Sequence, residues 1–567
     1  TGRYVTGSYN TFVGAYAGQG GTTSAPFSSG ADNTAVGYQS IKGFTTGNKN
    51  TAIGRQSLYL LTEGLENSAI GYFAGYSLTT GDYNTFLGGR AGRFHTTTNK
   101  NTMIGWNAGT NNGGSSNVMV GYNAGAQITG SSNVVIGNNA GTEARGTNLV
   151  IIGNHAGYHN KLKENVLIGD YAGERMMGTA TTVVGFRAGR FATNSNNTFM
   201  GYGAGQGGQT SAPYSSGENN TAVGYQTLYN FSSGYENTTM GYEAGHDITT
   251  GYENVFLGYR AADKWTTGHT TVAIGNEVLP NATNGMQSVI IGNDACGVRY
   301  TSHLTVIGDE ALTYDHSPGN TIKGTIAIGH RAGYVFRGDS SDEWGRTSMF
   351  IGVWSGYNVT TGNNNTIIGT RAGNTLTTGD ENLIIGHLCD VASGDNTNNI
   401  VIGNNLQATD KDNAVFIGND TNHIENDFNA DATWNYSSDV RQKKEIEDDT
   451  LGLDFINKIR PVVYKHKSPS EFPKEWSSYD ADDKEPMGGD KKIHGLIAQE
   501  VKEALDEVGA DSFGGWSEGD DGRQRVSREM FVTPLIKAVQ ELTEKNERLE
   551  NKIKDLEIFI IDKLGEK

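Results

Sequence analysis

The sequence predicts a mainly β protein: a long parallel β-solenoid, then a small α+β module that ends in a coiled coil. Three observations carry this prediction. A short motif, Asn-Thr-x-aliphatic-Gly-x-x-Ala-Gly, recurs 24 times between the start of the chain and about residue 420. Glycine is abundant, 79 residues against only 9 prolines, which excludes collagen and points to regular turns. After Asp420 the glycine repeat stops and Lys, Glu and helix-forming residues take over.

The repeat defines the first element. Its central glycines run Gly14, Gly37, Gly54, Gly71, Gly88, Gly105 and onward to Gly418, most of them at the nearly constant interval that separates Gly37 from Gly54. So short a unit cannot hold a helical pair, and two brief β stretches with two corners make one solenoid coil. At about 4.8 Å per coil the 24 copies stack to roughly 115 Å. The residue before the glycine is aliphatic or Met in every copy, as in Val13, Ile53, Leu87, Ile136, Met200 and Ile274, and is expected to face inward. Three positions after the glycine, Ala17, Ala74 and Ala108 admit a close backbone neighbour.

Thr-Thr-Gly triplets at Thr45 to Gly47, Thr79 to Gly81, Thr249 to Gly251, Thr360 to Gly362 and Thr377 to Gly379 read as corners with positive φ. Asn33, Asn50, Asn67 and Asn84 each precede their glycine by the same short step. Two readings stand for them: an amide ladder up the stack, or residues that simply suit a turn. Ordering each residue of a coil costs about 1 to 2 kcal/mol, while one large aliphatic returns about 1.5 to 3 kcal/mol. Neighbouring chains are therefore expected to complete the core, with the alanine column at a shared axis.

A second level of duplication appears where Gly18 to Ser40 returns as Gly205 to Thr227. Both copies enlarge a coil, so that Gly14 to Gly37 and Gly201 to Gly224 are longer steps than Gly37 to Gly54. Projecting loops are where a fibre meets its target, so Gly18 to Asn33, Gly205 to Asn220 and Tyr334 to Met349 are the candidate ligand-binding segments. The connection Thr313 to Thr325 is also long.

Composition excludes several functions. A formal net charge of -18 with no basic stripe argues against a nucleic-acid partner, and no apolar run long enough to insert in a bilayer is present. No EF-hand, HExxH or paired CxxC pattern occurs, so neither metal nor other cofactor is expected. The opening TGRYVTG has no Met and no leader, so the true N-terminus is expected to lie upstream or to have been removed, and secretion is not legible from this end. Cys296 and Cys389 lie in distant coils and are expected to be buried, inert thiols. Gly203-x-Gly205-x-x-Gly208 lies inside a repeat and reads as structural rather than dinucleotide-binding. Arg337-Gly338-Asp339 reads as a chance triplet. Aromatics just after the repeat glycine, such as Tyr38, Trp106, Tyr122 and Tyr242, are expected to pack between coils rather than to stack on sugars.

From Asn10 to Asp420 the repeat resembles the head repeats of trimeric autotransporter adhesins and similar repeats of phage tail fibres. That resemblance implies a left-handed parallel β-roll trimer, although the coils here are longer and the adhesins' C-terminal membrane barrel is lacking.

Four ordered blocks follow: Ser438-Asp439-Val440-Arg441-Gln442-Lys443, Leu453 to Tyr464 (LDFINKIRPVVY), His494 to Val501 (HGLIAQEV) and Phe531 to Leu542 (FVTPLIKAVQEL). They resemble the intramolecular chaperone auto-processing domain of phage tailspikes and tail fibres. The resemblance implies a homotrimer assembled by this domain, which then cuts the Ser437-Ser438 bond. It assigns Ser438 as nucleophile, Lys443 as base, and Asp439, Arg441 and His494 as supporting positions. A serine hydroxyl needs such an adjacent base. By itself, the first block also reads as a solvated charged face with serine as a helix N-cap.

Beyond the blocks, Leu535, Leu542, Leu549 and Leu556 recur at heptad spacing, with Val532, Val539, Asn546, Ile553 and Ile560 at the partner positions. This is a coiled-coil pattern whose side chains by rule favour two strands, so the trimer rests on the resemblance. The expected organisation is solenoid 1–420, connector 421–437 with Trp434 and Tyr436 at the junction, chaperone 438–530 and coiled coil 531–567. The expected function is an extracellular, trimeric fibre or adhesin, of a virion tail or a bacterial surface, that binds a cell-surface receptor of which polysaccharide is one class. A polysaccharide-degrading tailspike and an uncut structural filament are the alternatives. The one enzymatic activity expected is a single self-cleavage.

Overall fold

The computed structural model describes residues 1–111, 113–159, 163–313, 321–337, 347–428, 435–436, 440–474, 476, 478–486, 491–510, 512–519 and 522–565. Two compact units divide the chain, Thr1–Ser437 and Ser438–Lys567.

The first unit is a parallel β-solenoid. A 26-stranded sheet runs through it, with 24 strands parallel from Thr11–Val13 to Ala414–Asn419 and the last two antiparallel. Equivalent motif positions stack on one another, as in the register Thr51↔Ser68, Ala52↔Ala69, Ile53↔Ile70. A shorter second ladder joins Asn284–Met286, Tyr300–Ser302 and Thr321–Lys323. The segment read as a connector contributes His423–Asp427, which folds back antiparallel on Ala414–Gly418, and Asn435–Tyr436, which pairs with it in turn. Trp434, expected at the junction, lies outside the described residues.

The strand face is the reverse of the one expected. In so short a strand only the middle side chain points into the coil, and that residue is two before the glycine: Ala52, Phe86, Met103 and Val135 are fully buried. The aliphatic column beside the glycine faces outward. Val13 is 56 %, Leu87 43 % and Ile136 37 % exposed, and the third residue of every repeat strand escapes burial. The alanine column is likewise displaced from a shared axis, since Ala17, Ala74 and Ala108 are fully buried inside their own coils. With Leu61, Leu78 or Ile128 from the turns, each coil closes a small core of its own.

The Thr-Thr-Gly corners also differ from expectation. Gly47, Gly81, Gly251, Gly362 and Gly379 are not at positive φ; the left-handed positions fall on Lys49, Glu66 and Tyr83, just before the motif asparagines. Glycine is required at the corner for another reason: a Cβ on Gly47 would lie 2.8 Å from the carbonyl oxygen of Gly64 in the next coil. The strained residues regain their cost through coil-to-coil bonds, such as Lys49 N–H to Ala31 O at 3.0 Å.

Of the two asparagine readings, the ladder holds. Asn50, Asn67 and Asn84 are fully buried, and each donates from Nδ2 to Oδ1 of the asparagine below at 2.9 to 3.0 Å. Their backbone N–H groups bond the same oxygen. Aromatic rings stack in columns too: Phe186, Tyr202, Tyr225, Tyr242 and Tyr259 succeed one another at 4.9 to 5.3 Å. In this run the rings pack between coils, whereas Trp106 and Tyr122 at the same repeat position are 43 % and 52 % exposed. Cys296 and Cys389 are buried free thiols, and burial pushes Cys296 up to about 12.

Candidate functional site

Three of the four C-terminal blocks fold onto one another. The first of them forms helix α1, Leu453–Lys458, and then strand Val462–Tyr464. That strand pairs antiparallel with Ile493–Gly495, which opens the second block and leads into helix α2, Ala498–Glu507. The third block starts a long helix α3, Val532–Gly565. Each contributes to one core: Phe455 from α1, Val501, Ala504 and Leu505 from α2, and Phe531 before α3 are buried together with Leu451. Phe455, Phe513 and Phe531 make an aromatic cluster with centroids 4.9 to 6.1 Å apart.

Polar pins fix the blocks further. Leu453 N–H donates to Glu541 Oε2 at 2.7 Å, tying the start of α1 to α3. A side chain on Gly452 would collide with the same carboxylate. Arg460 grips Glu500 through two guanidinium nitrogens, a fork-on-carboxylate pairing. Lys458 pairs with Glu507 at 2.9 Å. These anchors were not singled out from sequence; Arg460 and Glu500 stand within the quoted blocks, but nothing in their spacing marks them as partners.

Of the predicted cleavage residues, Ser437, Ser438 and Asp439 lie outside the described residues. Arg441 sits in the short 3-10 turn Val440–Gln442, and Lys443 follows, its N–H bonded to Val440 O at 3.1 Å. Both side chains are exposed. His494 lies on the paired strand opposite Val463, with its backbone carbonyl accepting from Arg528 Nη1 at 3.0 Å; its side chain is exposed. The described geometry thus fixes the platform that carries His494, while of the first block the described Val440, Arg441 and Lys443 are exposed.

The loop candidates fall in two classes. Gly18 to Asn33 and Gly205 to Asn220 are described throughout. Residues 338–346 of the Tyr334 to Met349 segment, including Gly338 and Asp339, lie outside the described residues, as do 314–320.

Residues 438–510 match the protein-family model described as chaperone of endosialidase. No curated protein and no solved structure matches the chain. A long β-solenoid followed by this chaperone module fits a tailspike or tail fibre with a C-terminal intramolecular chaperone. Among the described residues, no helix is long and apolar enough to cross a membrane.

Proposed function

We propose that the protein is a homotrimeric, extracellular surface-binding fibre whose C-terminal unit drives assembly and then severs the chain at Ser437-Ser438. The observation that carries this reading is a pair of uncovered apolar surfaces. In the solenoid, the pre-glycine aliphatics form an unbroken outward column from Val13 to Ile417. Covering the open part of one such side chain returns roughly 1 kcal/mol, so the column as a whole favours association strongly. On α3, Val532, Leu535, Val539, Leu542, Leu549, Ile553 and Leu556 are all exposed along one heptad stripe.

The same reading gives an order of events. Attack of Ser438 Oγ on the Ser437 carbonyl would shift the acyl group from nitrogen to oxygen, with Lys443 taking the hydroxyl proton and passing it to the departing Ser438 nitrogen. Water then hydrolyses the ester, leaving a Ser437 carboxylate and a free Ser438 amine. A catalytic base must be held against the serine it serves and shielded from bulk water, and Lys443 is exposed in the single chain. Association is the step that would cover it, so cutting follows assembly.

Intact and native mass of the full chain and of Ser438→Ala test both parts. The expected result is a trimer whose subunits are cut after Ser437 in the wild type and remain whole in the variant. A monomeric product, or a cut that survives the substitution, would sink the proposal.

A further inference from the structure

The two enlarged coils are built alike, and more alike than the fold requires. Gly18 to Ser40 and Gly205 to Thr227 differ only where the first copy has Thr22, Phe27, Ala31, Asp32 and Ser40. The stretches that follow, Ile41 to Ser57 and Leu228 to Ala244, agree only where the first copy has Phe44, Gly47, Asn50, Thr51 and Gly54. A recent duplication would have left both stretches equally similar. Part of the likeness is structural, since the stretch holds the strand Thr34–Val36 and glycines such as Gly30, where a Cβ would meet Gly47 O at 2.1 Å. But Thr23, Ser24, Ala25 and Pro26, exposed and outside any strand, recur unchanged as Thr210, Ser211, Ala212 and Pro213.

The loops are also held in one shape. Ser28, fully enclosed, accepts from Gly21 N–H at 3.0 Å and donates to Phe44 O at 2.7 Å. Its counterpart Ser215 is buried in the same way and pairs with Ala192 as Ser28 pairs with Val5. Phe27 folds back to stack on Tyr4 at 6.2 Å, and Tyr214 on Phe191 at 6.1 Å.

Under the first loop is an open hollow of about 640 Å³. Ala25, Pro26 and Phe27 form an apolar ledge along it, and Thr6, Thr22, Ser29, Thr45 and Thr46 place hydroxyls around it, with Glu63 adding a carboxylate. The protons of Thr6 and Thr45 are already given to the carbonyls of Ser28 and Thr62, so these oxygens face a ligand as acceptors. No cation lines the hollow. The complementary ligand is rich in hydroxyl donors, has one apolar face and carries no negative charge. In the second copy the sequence repeats the ledge as Ala212, Pro213 and Tyr214 and hydroxyls at Thr193, Ser216, Ser232 and Ser233, with Thr250 in place of Glu63; there Arg175 lies over the Tyr214 ring at 5.7 Å and donates to its hydroxyl at 3.1 Å.

We infer that the twin loops are two binding sites for a neutral glycan, each seating a pyranose on its Ala-Pro-aromatic ledge with the sugar hydroxyls donating to the surrounding Thr and Ser oxygens. This rests on the surface-binding reading and names its ligand class. Eleven coils separate the sites, about 53 Å at strand spacing, so one chain would engage a polymer at two points and gain by multivalency.

The test is binding of the full chain to an immobilised panel of neutral hexose and N-acetylhexosamine oligosaccharides beside sialylated and uronic-acid ones, with calorimetry on the best neutral binder. Wild type is expected to select neutral members at two sites per chain. Phe27→Ala with Tyr214→Ala is expected to weaken binding at least tenfold at an unchanged melting temperature, and Glu63→Lys to leave one site per chain. Preference for the acidic members, failure to bind any member, or indifference to the paired substitution would overturn the inference. So would a paired variant that loses only subunit association, because the loops would then be contacts between copies. A monomer with intact glycan selectivity would instead overturn the trimeric fibre and leave the two sites standing.

Discussion

In the solenoid a single chain closes its own interior: Leu78, Phe86 and Ala91 are fully buried within neighbouring coils, and the aliphatic column faces outward. The C-terminal unit is arranged the other way. Its buried core is limited to Leu451, Phe455, Val501, Ala504, Leu505 and Phe531, and most of α3 beyond residue 543 is exposed along its length. Most helical stability in proteins comes from the packing of an amphipathic face, and this stretch packs its apolar stripe on nothing within the described residues of its own unit. In the proposed assembly, other copies would cover the outside of the solenoid and complete an inside for the tail unit. Under that proposal, dependence on assembly would be concentrated in the unit that carries the match to the chaperone family model.

The contrast can be broken most severely on α3. Leu542→Lys with Leu549→Lys is expected to abolish association and melt the distal helix, seen as a monomer in native mass and a loss of helical dichroism, while the solenoid's β signal persists. Cutting at Ser437 should stop as well. A trimer that survives both charges would show that α3 is not what holds the copies together.

Adjacent residues sharpen the contrast within one coil. Phe86 is fully buried and Leu87 is 43 % exposed. Phe86→Ala is expected to cost about 3 to 5 kcal/mol of solenoid stability whatever the association state. Leu87→Ala should cost under about 1 kcal/mol in dissociated chains but lower the trimer's melting temperature. Equal effects of the two in a monomeric sample would contradict the assigned faces.

A smaller effect concerns acid. His95 is buried between Thr98 and the Gly109 carbonyl, with contacts of 2.5 and 2.9 Å, and burial lowers its pKa to about 4. Because the folded value lies below the unfolded one, the contribution is full above about pH 6.5 and is lost as pH falls toward 4, on the order of 3 kcal/mol. Asp390 works in the opposite direction, since burial raises it to about 6 and its folded form gains as acid protonates it. Comparing wild type with His95→Leu removes the Asp390 contribution. The variant's unfolding midpoint should fall less between pH 7 and pH 4; parallel curves would refute the assignment.

The period, the stacking and the asparagine column were legible because a solenoid writes one coil per repeat. The inward face was misread because uniformity was taken as a sign of burial. The inner position in fact ranges from Ala52 to Phe86, since turn residues such as Leu61 and Leu78 share the filling. The outer position stays aliphatic or Met, the uniformity that the proposed contact between copies would call for. The glycines at the Thr-Thr-Gly corners were recognised for the wrong cause: their need arises from a carbonyl in the next coil, a full repeat further along the chain, which leaves no local sign. In the C-terminal unit, the blocks were recognisable only through family resemblance. Their convergence on Phe455, Val501 and Phe531 depends on contacts between segments far apart in the chain, and no periodicity records those.

The reversed strand His423–Asp427 has one more consequence. It occupies the last parallel edge, at Ala414–Gly418, with a strand of opposite direction, so a further coil finds no matching register there and open-ended growth is blocked. Reach then becomes a matter of copy number: gaining or losing one repeat upstream lengthens or shortens the stack by a single increment of about 4.8 Å. A lineage of such genes can tune span in integer steps, by recombination between near-identical units, without redesigning the terminus that stops the count.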